Sequence, residues 1–189
     1  MKKLVLALIA MLLVFSFSGC VETFDLAPNI KSGDFPFALE YELNGETYIV
    51  EDTVVCTFKG YASDTNNFLI FGHPSPRVWD ETVSSDTDNF FGIVLLELDN
   101  NTESVLTNGR TNFESYVFLD YGSAEYYMGD HKGSDYQSPQ IKYFEKYYDE
   151  EIGMPNSKIT SLSDEELEEY FGIKIIRFEF SEPIENTFE

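Results

Sequence analysis

The pattern of apolar and polar residues divides the chain into an apolar run at the N-terminus and a longer part rich in short alternating segments. Leu39, Tyr41 and Leu43 alternate with glutamates, and Asn44–Gly45 follows as a hairpin signal because both central residues of a type I′ turn need positive φ. Further β-branched and aromatic segments predict strands over 46–50, 53–61, 91–98, 115–121, 124–128 and 173–180. Segment 141–148 is ambiguous, and its aromatic content favours a strand over a helix.

One helix is predicted near the C-terminus. Ser163 and Glu166 have the spacing of a capping box, in which each side chain accepts a hydrogen bond from the other residue's amide. An apolar stripe at helical spacing begins at Leu167, and Gly172 suits the residue that ends a helix. About eight short strands and one such helix predict a mainly β fold, an antiparallel sandwich or partly open barrel with one short helix near the C-terminus.

The N-terminus has the parts of a secretion signal. Two lysines precede the apolar run 4–17, which is shorter than the roughly 20 residues that span a bilayer. Small residues Ser18 and Gly19 then precede Cys20. This pattern resembles the lipobox of bacterial lipoproteins, although Phe17 stands where that family usually has Leu. The resemblance implies that residues 1–19 are a signal peptide and that Cys20 becomes the lipidated first mature residue.

Lipidation would place the protein at the cell membrane, on its extracytoplasmic face. Two or more acyl chains, palmitate among them, hold a protein stably in the lipid bilayer where one chain does not. Residues 20–34 would then be the lipidated cysteine and a tether, and residues 35–189 a single β-rich domain. The alternative is an uncleaved N-terminal anchor with an incidental cysteine. If Cys20 is lipidated, Cys56 has no intramolecular disulfide partner, and its apolar surroundings predict a buried thiol in a strand.

The two ends of the chain resemble one group of bacterial lipoproteins. The stretches SGDFPFALEYELNGE and LSDEELEEYFGIKIIRFEFSEPIENTF are similar to small lipoproteins of uncharacterised function from Firmicutes. This resemblance covers the ends of the chain better than its middle. It implies an extracytoplasmic lipoprotein, and it supplies neither an activity nor a catalytic residue.

The charge is strongly negative. The chain has 34 acidic and 12 basic residues, which gives a net charge of -22. Such a charge argues against binding nucleic acid or an anionic membrane surface through electrostatics alone. It is compatible with cationic partners or divalent cations, and the plainer interpretation is solubility.

Histidines and acidic residues supply two candidate metal sites. His73 and His131 lie in loop-like surroundings near aspartates, but their spacing does not specify a metal geometry. Calcium bound at a generic acidic site is the alternative to having no cofactor, although Phe90 interrupts the ligand spacing of an EF-hand. Its ligands would be Asp80, Glu81, Asp86 and Asp88. A solvated acidic loop explains the same residues, and we expect no cofactor.

Tyrosines are concentrated in the second half of the chain. A row of exposed rings bordered by carboxylates would suit a carbohydrate or protein partner, although tyrosine is also common in strands and at core edges. The candidate binding residues are Tyr121, Tyr126, Tyr127, Tyr136, Tyr143, Tyr147 and Tyr148.

No familiar catalytic motif is present, so no catalytic residue is predicted and an enzyme is less favoured. We expect a membrane-anchored extracytoplasmic lipoprotein with a binding or structural role at the cell surface. The alternatives are an envelope-acting hydrolase and a small solute-binding or inhibitor-like lipoprotein. A clustered pair of buried carboxylates would favour the hydrolase, an exposed row of tyrosines would favour binding, and a deep apolar pocket would favour solute binding.

Overall fold

A computed structural model describes residues 26–62, 76–83, 92–99, 102–106, 111–133, 135–149 and 152–189. Residues 1–19 and Cys20 lie outside the described residues, and so do His73, Asp86 and Asp88. The strands are β1 (Ser32–Leu43), β2 (Glu46–Tyr61), β3 (Arg77–Val83), β4 (Ile93–Glu97), β5 (Thr102–Glu103), β6 (Thr111–Asp120), β7 (Gln140–Asp149), β8 (Met154–Ser161) and β9 (Ile173–Phe180). The helices are α1 (Ala124–Tyr127) and α2 (Asp164–Phe171).

The first sheet has four antiparallel strands in the order β3-β2-β1-β9. Asn44 and Gly45, with φ of 56° and 82°, form the turn between β1 and β2, as the hairpin signal predicted. Alternate side chains of β1 point into the core because successive residues of a strand face opposite sides. The buried side chains of β1 are Phe35, Phe37, Leu39, Tyr41 and Leu43.

The second sheet has five strands, with the order β4-β6-β7-β8 and β5 paired to β6. Val117 and Leu119 of β6 and Tyr143 of β7 belong to the same buried cluster as Leu39 and its neighbours in the first sheet. Both sheets are antiparallel and open, so the prediction of a mainly β, sandwich-like fold is confirmed. The two sheets do not close into a barrel.

The predicted C-terminal helix is confirmed, whereas the strand predicted over 124–128 is wrong. Helix α2 has the expected capping box, and Gly172 follows it in the left-handed conformation with φ of 64°. Segment 124–128, predicted to be a strand, instead forms the short helix α1. The reason is local capping, since Ser123 Oγ accepts a hydrogen bond from the amide of Tyr126 at 3.3 Å and starts a helical turn. The ambiguous segment 141–148 lies in strand β7.

The folded part begins earlier than expected. The amide of Ala27 donates to the carbonyl of Glu189 at 3.0 Å, and the amide of Glu189 donates back to Ala27 at 2.9 Å. Pro28 and Phe188 form a β-bridge between these contacts, and β1 already starts at Ser32. The boundary expected between tether and domain at residue 34 is therefore too late.

Cys56 has the buried position that its apolar surroundings predicted. It lies in β2 with none of its surface exposed. Burial, reinforced by the nearby carboxylates of Glu81, Glu125 and Asp34, raises the pKa of its thiol to about 12. At neutral pH Cys56 is a protonated core residue rather than a nucleophile.

Candidate functional site

A pocket of about 280 Å³ opens where β3 of the first sheet approaches the β6–α1–β7 region of the second. We call it the Glu81 pocket. Its apolar wall includes Phe118, Tyr121 and Ile159. Its polar lining combines acceptors and donors, namely Glu81, Asp120, Ser123, Asp135, Gln137 and Lys142.

The ends of β6 and β7 supply one side of the pocket. Asp120 accepts a hydrogen bond from Lys142 Nζ at 2.6 Å and another from the amide of Gly122 at 2.9 Å. Lys142 also donates to Gln137 Oε1 at 3.0 Å. Gly122 has φ of 83°, and a Cβ there would lie 2.9 Å from the carbonyl oxygen of Gln137. The glycine therefore allows the two chain segments to close around the pocket.

Ser123 connects helix α1 to the chain that precedes β7. Its hydroxyl accepts hydrogen bonds from the amides of Tyr126 at 3.3 Å and Gln137 at 3.0 Å. The amide of Ser123 donates to the carbonyl of Gln137 at 3.0 Å. Gln137 Nε2 in turn donates to Asp135 Oδ1 at 2.5 Å, so Asp135 and Gln137 are held at the pocket as a unit.

Glu81 and Glu125 are neighbouring carboxyl groups with raised pKa values. Burial raises the pKa of Glu81, against a hydrogen bond from the amide of Ala124 at 3.2 Å that lowers it. Burial also raises the pKa of Glu125 to about 7, and the negative charges of Glu81, Asp135 and Asp130 add to this shift. A carboxyl group that titrates near neutral pH can take up or release a proton under physiological conditions.

A buried ion pair fixes the chain after α1 to β3. Arg77 donates to both oxygens of Asp130, at 2.6 and 2.5 Å, and Trp79 Nε1 donates to the same carboxylate at 3.0 Å. Burial alone would raise the pKa of Asp130, but the hydrogen bonds from Arg77 and Trp79 outweigh it and hold the pKa below its ordinary value. Asp130 therefore stays ionised and anchored.

The predicted tyrosine platform does not form as one surface. Tyr127 and Tyr143 have no exposed surface and Tyr147 is buried, so these three cannot contact a partner. Their rings face the core because β7 alternates its side chains and α1 packs inward. Tyr121 lines the Glu81 pocket, the rings of Tyr126 and Tyr136 pack against each other with 5.6 Å between their centroids, and Tyr148 is exposed.

The predicted metal candidates do not converge within the described residues. No group of three or more His, Cys, Asp or Glu side chains in that part of the chain is arranged to hold a metal ion. Asp80 pairs with Lys59 at 3.2 Å on the exposed side of β3, while its neighbour Glu81 lines the pocket. The ring of His131 packs against Tyr136, with 4.7 Å between centroids.

Several residues of the pocket were not predicted from the sequence. Asp120, Asp135 and Lys142 come from different segments, and only the folded sheets bring them together with Glu81. The turn signal at Asp120–Gly122 was the one local feature that could have pointed to this place.

Comparisons with protein-family models, with curated proteins and with solved structures found no match to this chain. In the described part of the chain, neither helix has the length and apolar character needed to cross a bilayer. The fold and the pocket define an antiparallel, two-sheet β protein with a small acidic pocket beside β3.

Proposed function

We propose that this protein is a lipid-anchored, extracytoplasmic binding module that takes a small hydroxyl-rich ligand, such as a sugar unit of the cell envelope, in the Glu81 pocket. The observation that carries this proposal is the composition of the pocket wall, which combines hydrogen-bond acceptors, hydrogen-bond donors and apolar side chains around one cavity.

The lining suits hydroxyl groups because each hydroxyl both donates and accepts hydrogen bonds. Asp120 and Asp135 are acceptors, Lys142 and Gln137 carry donors, and the partly exposed ring of Tyr121 offers an apolar surface to the face of a sugar ring. The volume of about 280 Å³ lies just below the usual range of about 300 to 1,000 Å³ for small-molecule sites, which favours a ligand of one or two rings.

A second hollow is less suited to a ligand. This broader groove of about 610 Å³ lies across β1, β2 and β9 and is more open than the Glu81 pocket. Arg177 of β9 pairs there with Glu51 at 3.0 Å and with Glu179 at 3.7 Å. The groove lies on a solvated sheet face and encloses a ligand less than the Glu81 pocket does, so we assign the ligand to the Glu81 pocket.

Ligand binding is testable with the chain from residue 21 onward. Saturation-transfer NMR with a panel of neutral and N-acetylated monosaccharides should give signals with the wild type and weak or no signals with Asp135→Ala. Glu51→Gln, in the other groove, is the matched control and should bind as the wild type does. Absence of any binding sugar, or equal signals with Asp135→Ala, would contradict this function.

Lipid anchoring is supported by the lipobox-like stretch FSFSGC that ends at Cys20. Metabolic labelling of the full chain with a fatty-acid analogue should mark the wild type and leave Cys20→Ser unmarked. Cys56→Ser is the matched control, because the second cysteine is buried in β2 and should not affect labelling. Equal labelling of wild type and Cys20→Ser would show that Cys20 is not the anchor.

The Glu81–Glu125 pair favours a second candidate, an acid–base hydrolase of envelope material. Glu125 is buried, Glu81 is partly buried, and both have raised pKa values, as a proton-transferring pair requires. Only Glu81 lines the pocket, however, which places the binding function first. Release of reducing ends from cell-wall fragments by the wild type, abolished in Glu81→Gln, would establish the hydrolase instead.

A further inference from the structure

Residues 129–133 and 135–137, which we call the Gly133 loop, connect α1 to β7 and carry Asp135 and Gln137 to the Glu81 pocket. One end of the loop is held by the ion pair between Asp130 and Arg77. The other end is held by the hydrogen bonds between Gln137 and Ser123. Between its two fixed ends, the loop covers the side chain of Glu125.

The contact between the loop and Glu125 is close. A Cβ at Gly133 would lie 2.3 Å from Cγ of Glu125, so only a glycine allows the loop to lie on this side chain. The amide of Gly133 donates to the carbonyl of Asp130 at 2.9 Å, and the amide of Asp130 donates to the carbonyl of Glu125 at 2.8 Å. Only 7% of the surface of Glu125 remains exposed under this cover.

The charged and titratable groups around Glu125 are mostly acidic. Glu81 faces it from β3, the Cys56 thiol lies near it in β2, and the loop itself contributes Asp130 and Asp135. The positive charge of Arg77 is engaged by Asp130. The remaining titratable side chains of the loop, His131, Lys132 and Tyr136, are exposed. An ionised Glu125 would therefore be repelled by its neighbours in addition to losing water.

Building on the ligand pocket proposed above, we propose that the protonation state of Glu125 regulates the pocket through the Gly133 loop. A neutral Glu125 keeps the loop closed and holds Asp135 at the pocket. Ionisation of Glu125 favours a lifted loop in which water reaches the carboxylate. Asp135 then moves away from Glu81, while the backbone of Gln137 stays bonded to Ser123.

The direction of the pH dependence follows from proton linkage. Glu125 has a pKa of about 7 beneath the closed loop and would return towards its ordinary value of 4.5 when water reaches it. The closed state therefore binds the proton more tightly than the lifted state. The advantage of the closed state is fully present below about pH 4.5 and is lost as the pH rises through about 7.

Amide hydrogen exchange of the purified full chain tests this regulation without any ligand. The amide of Gly133 is hydrogen-bonded in the closed loop and should lose at least about tenfold in protection factor between pH 5.5 and pH 8.5. In Glu125→Gln, which stays neutral, the protection factors should be the same at both pH values. The amide of Leu39 in the core should remain protected throughout, which separates loop opening from unfolding.

Glu165→Gln is the matched control, because Glu165 is the second residue of α2 as Glu125 is of α1, but it is exposed. It should behave as the wild type. Constant wild-type protection across the pH range, or the same loss in Glu125→Gln, would overturn the regulation. If Glu125→Gln fails to fold, carbon-13 titration of the wild-type Glu125 carboxyl decides: its midpoint must coincide with the loss of loop protection, and a mismatch overturns the proposal.

The proposed sugar binding and the proposed regulation by Glu125 can each be refuted by its own experiment. A sugar screen without hits would refute the ligand function and leave the exchange result unaffected. Proton-dependent exchange that leaves sugar binding equal at pH 5.5 and pH 8.5 would refute control of the pocket by the loop.

Discussion

At the scale of single residues, Arg77 holds together parts of the chain that are far apart in sequence. It donates to Asp130 after α1 and to the carbonyl of Leu26 at 3.3 Å, and its guanidinium lies 4.4 Å from the ring centroid of Phe188. Both charged partners of the ion pair are buried. Removing one member of such a pair leaves the other as an uncompensated charge in the interior.

Arg77→Met should therefore lower the free energy of unfolding by about 3 to 5 kcal/mol, measured by urea denaturation. Lys59→Met is the control, because Lys59 pairs with Asp80 at 3.2 Å with both side chains about half exposed. The control should change stability by less than about 1 kcal/mol. Equal losses in the two variants would contradict a special role for the buried pair.

The tyrosines show what residue types alone could not decide. Tyr143 and Tyr148 lie in the same strand, yet Tyr143 is fully buried and Tyr148 is 55% exposed. A tyrosine fits either side of a strand, so composition could not separate core rings from surface rings. The assignment needed the orientation of β7 against the first sheet.

At the scale of elements, helix α2 was predictable because its start and end signals are local. The amide of Ser163 donates to Glu166 Oε2 at 2.8 Å, and the amide of Glu166 donates to Ser163 Oγ at 3.3 Å. The short helix α1 was not predicted, because its residues are also common in strands and because a single helical turn leaves no periodic pattern in the sequence. Strand β2 was predicted in two pieces, and pairing with both β1 and β3 makes it continuous.

Ser163→Ala should lower the free energy of unfolding by about 1 kcal/mol, since the N-cap acceptor for the amide of Glu166 is lost. Ser157→Ala, at an exposed position of β8, is the matched control and should be close to neutral. Denaturation midpoints measured side by side check the difference. A Ser163→Ala protein as stable as the control would mean that tertiary packing alone holds α2.

At the scale of the whole molecule, the two ends of the described chain meet. Ala27 and Asn29 bond to Glu189 and Thr187 through their backbones, and Phe188 covers Arg77. The first described residues thus lie beside residues 187–189. This pairing also links the chain ends to the ion pair that anchors the Gly133 loop.

Deletion of residues 187–189 should lower the free energy of unfolding by about 2 kcal/mol or more. It removes backbone hydrogen bonds, each worth about 1 kcal/mol, and the cation–π contact of Arg77. Thermal unfolding measures the effect, and Glu185→Gln is the control in the same tail. Unchanged stability after the deletion would show that the ends meet without stabilising the fold.

The mainly antiparallel β architecture, the Asn44–Gly45 hairpin, helix α2 and the burial of Cys56 were predictable from the amino-acid sequence. These features depend on turn conformation, capping and apolar alternation, which act over a few neighbouring residues. The Glu81 pocket and the covered position of Glu125 depend on how the folded segments pack. Their residues come from β3, β6, α1, the loop that follows α1, β7 and β8, and burial, proximity and the resulting pKa shifts exist only once distant segments pack together.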